Sequence, residues 1–445
     1  MVKRRKTPVI METTEPHLCS TDLRLTILHS VPFFAGLPHE TIARINQLFH
    51  EKGYDAGETI YVAGDPAQSL MIIAEGRVKL LRHTSIGKDI LLDLLIPGEC
   101  FGTLSTAAES EYQDTAVAMT SICALAIEYE KFRKEIQPAA RKEGKRVGIG
   151  VVAFTEGTAV GPYEGCKITV STSGKVTMTS GYSTQGQAHQ TVFAQIIADQ
   201  LNVKVEDVRV VTGDTNQFAW GAGTFASRGA ALVGAATYLA AQKVRAKILS
   251  TASKKLEVPE EELDLCEGSV CVKGQPETTI PLGMLAVLAN PMRGVVEPGV
   301  EPGLEATAYY GPPHGSTGCG AMGVIVSIDE ETCKPVIERM VMVDDCGTMI
   351  NPLIVDGQLQ GGISMGIGNT LYERLVYDEN GQLVTASFMD YLMPQATDMP
   401  AKIEMGHNHT KSPLNPLGIK GVGEAGALPP PPAFAQAFDD AFQRE

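Results

Sequence analysis

The sequence predicts a multidomain protein in which an N-terminal all-β jelly roll precedes two α+β lobes. Residues 23–132 alternate short apolar runs with glycines suited to tight turns, among them Gly57, Gly64 and Gly76, a pattern typical of a roll or barrel. A charged stretch follows at 133–146, and beyond it longer segments alternate strand and helix periodicity. We therefore expect a tail at 1–20, the roll at 21–132, a charged linker or helix at 133–146, and lobes at 147–300 and 301–445.

Composition and charge exclude several classes of protein. The net charge of −15 argues against nucleic acid as the main partner, because phosphate binding requires a basic surface. No run of about 18 apolar residues is present, so a membrane span is not expected. The basic start at Lys3–Lys6 leads into no apolar run, which argues against a secretory signal. We expect a cytoplasmic protein.

The nine cysteines are scattered, and none forms a C-x-x-C pair. This spacing favours reduced thiols over a disulfide framework. It also lacks the clustering of iron–sulfur or zinc sites, so no metal-ligating residue is assigned.

The N-terminal roll resembles the cyclic-nucleotide-binding domain of catabolite-activator and fumarate–nitrate-type regulators, by its glycine spacing and its Phe101-Gly102 pair. In the nucleotide-binding members, a glutamate after Phe-Gly holds the ribose and an arginine holds the phosphate. Here Thr103 follows Gly102, and the segment around Asp114 offers a repulsive carboxylate instead of an arginine. The resemblance therefore implies a folded roll without bound nucleotide. The family's helix-turn-helix is missing, so we do not expect DNA binding.

Each lobe shows a hairpin followed by a helix. The first has strands at 167–170 and 176–179 around a turn at Ser173-Gly174, a helix carrying Val192 and Phe193, a strand at 208–211 and a long helix at 227–256. The second has a hairpin at 321–328 and 336–343, then a glycine-rich stretch at 356–368 that leads into a helix. The echo predicts two related lobes that face one another.

Four segments of the lobes carry the chemistry. They are a glutamine segment (Gln185–Thr191), a serine segment (Gly223–Arg228, preceded by Gly213-Asp214-Thr215), an aspartate–cysteine segment (Asp345–Pro352, continuing to Gln358 and Gly361-Gly362) and a glutamate loop (Asn415–Gly426). Together and in this order they resemble the molybdenum-cofactor large subunits of the xanthine dehydrogenase, aldehyde oxidase and carbon monoxide dehydrogenase family.

The resemblance implies a set of cofactor-binding residues. A helix N-terminus offers free amides to a phosphate, and glutamine offers both a donor and an acceptor. The implied contacts are Gln185, Gly186, Gln187, Ala188, His189 and Thr191; Thr224, Phe225, Ala226, Ser227 and Arg228; Gln358; and Lys420, Gly421, Val422 and Gly423. Taken alone, Gln185 and Gln187 also fit a capped helix start, and a structural ion pair for Arg228 fits as well as a cofactor contact.

Glu424 is the candidate base. In the family, the glutamate of this loop takes a proton from a hydroxide on molybdenum as that oxygen attacks an electron-poor carbon, and a hydride passes to the sulfido ligand. We expect burial among apolar neighbours to raise the pKa of this carboxyl toward the working range. The alternative is a solvated glutamate in a turn before Pro429–Pro432.

The resemblance covers only part of a family subunit. It implies a molybdenum–pterin cofactor, with the cytosine dinucleotide form left open, while iron–sulfur clusters and FAD belong to partner subunits. The half that orients a small organic substrate is missing, and another chain could supply it. Two alternatives stay open: a regulatory or binding protein with a sensor-type roll, and an inactive gene fusion.

Overall fold

The computed structural model describes residues 19–31, 39–47, 49–67, 69–83, 89–102, 111–128, 137–293 and 296–442. The chain divides into two compact units. Unit 1 comprises residues 1–151, 323–340 and 432–445, and unit 2 comprises residues 152–322 and 341–431. In the described ranges, no helix combines the length and apolar character needed to cross a membrane.

The N-terminal part of unit 1 is a β-roll preceded by two short helices. Its elements are α1 (Thr21–Ser30), α2 (His39–Asn46), β1 (His50–Tyr54), β2 (Thr59–Tyr61), β3 (Ser69–Glu75), β4 (Val78–His83), β5 (Asp89–Leu95), β6 (Cys100–Gly102), β7 (Thr115–Ala118) and β8 (Ile122–Glu128). The strands form two antiparallel sheets, in the orders β1-β8-β3-β6 and β2-β7-β4-β5. The predicted all-β roll is confirmed.

The amphipathic sequence from Ile42 to Phe49 predicts one helix, and the observed helix lies three residues earlier. Helix α2 stops at Asn46, and Phe49 lies beyond it as a buried core residue. The preceding helix α1 was not predicted; the Ser20 hydroxyl caps it by accepting a hydrogen bond from Leu23 N at 3.2 Å. Residues 32–34, the N-terminal tail up to residue 18 and Thr103 lie outside the described residues.

Unit 1 is completed by α3 (Gln137–Lys142), the start of β9 (Lys145–Thr158) and most of α8 (Pro430–Phe442). Helix α8 lies directly against β9, since a Cβ at Gly148 or Gly150 would meet a helix carbonyl oxygen at 1.9 Å. Asp440 joins these elements by accepting hydrogen bonds from Gln137 Nε2 and Ile149 N, both at 3.0 Å. The predicted charged linker is thus helical at 137–142, while 133–136 lie outside the described residues.

The main sheet of unit 2 has the order β12-β11-β10-β16, formed by β10 (Glu164–Val170), β11 (Val176–Ser180), β12 (Val208–Thr212) and β16 (Glu305–Tyr310). Strands β10 and β11 form the predicted hairpin, and β12 pairs parallel to β11 after helix α4 (His189–Leu201). The long helix α5 (Gly234–Leu256) shares a core with this sheet, and a π-helical turn at 229–233 precedes it. The sheet does not end at the predicted boundary of residue 300, because β16 pairs with β10.

The described residues form two further sheets outside the roll and the main sheet. One contains β13 (Leu263–Cys266), β14 (Ser269–Val272) and β15 (Gln275–Pro281), followed by α6 (Leu282–Leu288). The other has the order β19-β18-β17-β9, with β17 (Ser316–Asp329), β18 (Pro335–Asp345) and β19 (Ile403–Asn408). Strands β17 and β18 are the predicted second hairpin.

The glycine-rich stretch at 356–368 was predicted to lead through a helix into Leu371. All of it except Gly368 lies within helix α7 (Pro352–Ile367), which begins before the stretch. Two of its glycines serve close packing: a Cβ at Gly366 would meet the Pro430 ring at 2.5 Å, and one at Gly362 would meet Gly426 Cα at 2.9 Å. Helix propensity is overridden here by contact with the glutamate loop.

The expectation of reduced thiols is wrong for four cysteines. Cys19 pairs with Cys123 in a disulfide across 104 residues, and Cys266 pairs with Cys271 in the hairpin of β13 and β14. The sequence did not show these pairs. Cys19 and Cys123 come together only when the roll folds, and Cys266 and Cys271 come together only when β13 pairs with β14. Cys346 is free and buried.

Candidate active site

The four segments meet in unit 2 around one cavity of about 350 Å³. Every predicted site residue lines this cavity except Gly186, Ala188, Thr191 and Ala226. Of those four, Thr191 is exposed on α4, while the other three occupy backbone positions with positive φ. The fold thus joins positions 185 and 424, which are distant in sequence, into one site.

The glutamine segment forms an uncapped helix start. Ala188 adopts the left-handed conformation at the N-cap of α4, with φ of 56°, and its side chain accepts no hydrogen bond from the helix. The first amides of α4 are therefore available to a ligand. Gln185 N donates to Gln187 Oε1 at 2.7 Å, and Gln185 Nε2 donates to Thr224 O at 3.3 Å, which ties the glutamines to the serine segment.

His189 is a buried neutral side chain of the cavity wall. Its ring lies between those of Tyr182 and Phe193, at centroid distances of 5.1 and 5.2 Å. Burial lowers the pKa of His189 from 6.5 to about 4, so the ring carries no charge at neutral pH. Its buried Nδ1 has no hydrogen-bond partner in the protein and can bond to a ligand in the cavity.

Arg228 is fully buried and engaged in a structural ion pair. Its Nη1 contacts Glu164 Oε1 at 2.5 Å, and both side chains have no exposed surface. Nη1 also donates to Gly223 O at 3.1 Å, Nη2 donates to Pro162 O, and the guanidinium lies 4.6 Å from the Phe225 ring centroid. Of the two readings left open by the sequence, the ion pair is present, and it fixes the turn that carries Ser227.

The glutamate loop is held by backbone contacts on both sides. Lys420 N donates to Cys346 O at 2.8 Å, and Gly421 N donates to the buried Thr158 Oγ1 at 3.0 Å. The Lys420 ammonium lies 3.2 Å from Asp345 Oδ1, and little of either side chain is exposed. The loop therefore presents Glu424 at a defined place on the cavity wall.

Ser227 fixes Glu424 directly. The Ser227 hydroxyl accepts from Glu424 N at 3.0 Å and lies 2.8 Å from Glu424 Oε2. The expected burial of Glu424 among apolar neighbours is wrong, since its side chain is exposed at the mouth of the cavity.

The half-buried carboxyl is Glu156, a residue that sequence reasoning missed. Glu156 on β9 contacts Ser227 Oγ through Oε1 at 3.1 Å. Burial raises its pKa from 4.5 to about 7, the Ser227 hydrogen bond opposes this rise, and the negative charges of Glu424 and Asp344 add to it. Its sequence neighbourhood reads as an ordinary strand, so no local signal identifies it.

The aspartate–cysteine segment also lines the cavity, although Gln358 was its only residue predicted as a contact. Cys346, Thr348 and Asn351 face it, and Thr348 Oγ1 is buried without a hydrogen-bond partner. Burial, followed by the charge of Asp344, raises the pKa of Cys346 to about 12, so the thiol stays neutral. The sequence signal for these contacts was the Asp345–Pro352 motif, which the sequence analysis used only as part of the family resemblance.

Taken together, the cavity suits a large ligand rich in hydrogen-bonding groups and anionic at one end. The N-terminus of α4 and the turn before α5 present amides without side-chain caps. His189 Nδ1 and Thr348 Oγ1 are unpaired buried atoms, and Phe225 and Val422 add apolar surface.

Residues 123–400 match the molybdopterin cofactor-binding domain family, over more than half of the chain. The chain belongs to the molybdopterin cofactor-binding domain family. Its lobes are accordingly a molybdenum–pterin-binding module, as the sequence predicted. The groups on the cavity wall fit the pterin, which needs amide partners, and the phosphate, which needs helix amides.

Curated relatives are large subunits of oxidoreductases. The chain is 37% identical over 331 residues to the carbon monoxide dehydrogenase large chain of Afipia carboxidovorans, covering 71% of this chain and 40% of that one. It is 35% identical to the nicotine 6-hydroxylase large subunit of Paenarthrobacter nicotinovorans, with the same two coverages. The chain thus spans about 40% of the length of these relatives.

Solved structures of similar proteins superpose on this chain. Quinoline 2-oxidoreductase from Pseudomonas putida 86 superposes with a TM-score of 0.64 at 39% identity, covering 70% of this chain and 41% of that one. The Cu,Mo-containing carbon monoxide dehydrogenase has the same TM-score at 36% identity, with coverages of 71% and 41%. These similarities, together with the family match, confirm the predicted family and fold class.

The N-terminal roll matches the cyclic nucleotide-binding domain family over residues 51–138. Its interior contains an aromatic cluster: Tyr61 stacks on Tyr112 at a centroid distance of 3.8 Å and lies 6.2 Å from the Phe101 ring. The Tyr61 hydroxyl donates to Asp114 Oδ1 at 2.9 Å. Burial, then this hydrogen bond, raises the pKa of Tyr61, so the phenol stays protonated.

Proposed function

We propose that this chain supplies the base side of a molybdenum hydroxylase active site and that Glu424 is its base. The bound cofactor supplies the two-electron oxidation. Glu424 accepts the proton that is released when an electron-poor carbon of a small organic substrate gains oxygen from water. The supporting observation is the position of the Glu424 carboxyl, fixed at the cavity mouth by Ser227 on one side and by the backbone of the glutamate loop on the other.

The proposed cofactor contacts follow from the geometry. The amides at the start of α4 and at the start of the turn at 229–233 would hold the phosphate of the cofactor. In the cytosine dinucleotide form, the cofactor would make further contacts beside these amides. Gln185, Gln187 and Gln358 would bond the pterin edge, since glutamine offers both a donor and an acceptor. Arg228 would act by holding the serine segment in place.

The two electrons taken from the substrate must pass from this site to an acceptor. The relatives are large chains and subunits of complexes. We propose that iron–sulfur and flavin subunits accept the two electrons from this site, and that a further chain supplies the half that selects the substrate. A cytoplasmic location remains a prediction from the sequence, and the two disulfide pairs weaken its thiol argument.

A glutamine substitution tests the assignment. We expect Glu424→Gln in the purified complex to retain molybdenum and to lose dye reduction by at least about a hundredfold, because glutamine keeps the shape and cannot accept a proton. Glu379→Gln, an exposed glutamate outside the cavity lining, is the matched control and should leave the rate unchanged. Unchanged dye reduction in Glu424→Gln would sink the base assignment.

A further inference from the structure

One hydroxyl lies between two carboxyl groups at the cavity mouth. Ser227 Oγ is 2.8 Å from Glu424 Oε2 and 3.1 Å from Glu156 Oε1. It also accepts a hydrogen bond from Glu424 N at 3.0 Å. The three groups therefore form a continuous path from the exposed Glu424 to the half-buried Glu156.

The hydrogen bonds of this cluster are complete when it holds one proton on either carboxyl. A serine hydroxyl has one hydrogen to donate and two lone pairs to accept with. With both carboxyls ionised, that single hydrogen faces two acceptor oxygens, so one close contact is repulsive. With one carboxyl protonated, Ser227 accepts from Glu424 N and from the carboxylic acid, and it donates to the other carboxylate. Every contact is then satisfied.

We propose that Glu156 is a proton-relay residue, which receives through Ser227 the proton that Glu424 takes up in each turnover. This inference rests on the proposed role of Glu424 and deepens it. In the relay step, protonated Glu424 gives its proton to Ser227 Oγ while the Ser227 hydroxyl proton passes to ionised Glu156. One O–H bond breaks and one forms at the serine, so the net change is one proton moved from Glu424 to Glu156.

The backbone holds the serine where the relay needs it. Ala226 and Ser227 both adopt left-handed backbone conformations, with φ of 49° and 47°, which residues other than glycine rarely adopt. Ala159 N fixes this turn by donating to Ala226 O at 3.0 Å. The strain is consistent with a turn shaped for the position of its hydroxyl.

The surroundings favour a proton on Glu156. Its Oε2 is buried without a partner in the protein, and the pKa of Glu156 is raised to about 7, first by burial and then by the charges of Glu424 and Asp344. Burial raises the pKa of Asp344 itself to about 6, while His407 and Lys420 oppose the rise. Near neutral pH Glu156 can both hold and release a proton.

Infrared pH titration of the purified full chain tests the proposal without turnover. We expect a protonated-carboxyl band that disappears with a midpoint near pH 7 and that is lost in Glu156→Gln. Asp344→Asn should lower the midpoint, because it removes a negative neighbour. Ser227→Ala should raise it, because the serine hydrogen bond lowers the pKa. Glu379→Gln should leave the band unchanged.

Two outcomes would overturn the relay. One is a neutral-pH band that persists unaltered in Glu156→Gln; the other is a midpoint that stays fixed in both Ser227→Ala and Asp344→Asn. The unfolding temperature of Glu156→Gln shows whether this variant folds. If it does not, the titrations of Ser227→Ala and Asp344→Asn still test the relay.

The loaded complex gives an independent readout. The wild-type kcat should fall as the pH drops below about 7, because a protonated Glu156 cannot accept another proton. Glu156→Gln should lower kcat about tenfold at pH 8 with KM unchanged, and should abolish this pH dependence. Loss of dye reduction in Glu424→Gln together with wild-type titration in Glu156→Gln would refute the relay and leave the base assignment intact.

Discussion

Gly421 is the position at which the packing of the glutamate loop can be tested most sharply. A Cβ at Gly421 would lie 2.1 Å from Ser227 O, 2.6 Å from Ser227 Cβ and 2.7 Å from Thr158 Cβ. Backbone and buried side-chain atoms form these contacts, so none can move aside cheaply. Overpacking of this kind costs about 3 kcal/mol. We expect Gly421→Ala to lower the unfolding temperature by roughly 6 to 12 °C.

Gly423 provides the matched control in the same loop. A Cβ there would meet Ser227 Oγ at 3.5 Å and Gln358 Oε1 at 3.6 Å, which are ordinary contacts. Gly423→Ala should therefore unfold within about 2 °C of the wild type. Calorimetry of the three chains is the assay. Equal unfolding temperatures for Gly421→Ala and the wild type would refute the close approach of the loop to the serine segment.

Three further predictions concern the buried ion pair, pH and the roll. Glu164→Gln leaves Arg228 buried without its counter-charge and should destabilise the chain by about 3 to 5 kcal/mol, whereas Glu305→Gln, which breaks a partly exposed pair with Lys167, should cost under about 1 kcal/mol in chemical denaturation; equal losses would contradict this. The raised pKa of Glu156 means that the folded chain keeps a proton that the unfolded chain releases, so stability should fall as pH rises from 4.5 to about 7. After a discount of about half for partial exposure, Glu156→Gln should be roughly 1 to 2 kcal/mol more stable than the wild type at pH 8, and a difference of the opposite sign would refute it. Calorimetric titration with cyclic AMP or cyclic GMP should show no binding to the full chain, because aromatic rings pack inside the roll and Asp114 repels phosphate; saturable binding would contradict this.

Local periodicity predicted much of the fold. The hairpin of β10 and β11, the helix carrying Val192 and Phe193, and the strands near 321–343 were all recovered, because each buries one face with a regular repeat. The start of helix α7 was missed because glycine is a poor helix former. Gly362 and Gly366 admit Gly426 and Pro430 at close range, which only the folded chain shows.

The site was predictable where it is carried by contiguous motifs. The glutamine segment, the serine segment and the glutamate loop lie at one cavity, as their resemblance implied. Glu156 and Glu164 escaped notice because each acts through a partner far along the chain, Ser227 and Arg228 respectively. The expected burial of Glu424 was wrong because the fold places its carboxyl at the exposed mouth of the cavity, which no local pattern shows.

Molybdenum stoichiometry tests the central claim most directly. The chain, purified with its native partners, should contain about one molybdenum and one pterin per copy, and Ala230→Trp, which fills the cavity wall, should lose both while the roll stays folded. A wild-type complex without molybdenum, or an Ala230→Trp complex that retains it in full, would contradict a cofactor site at this cavity.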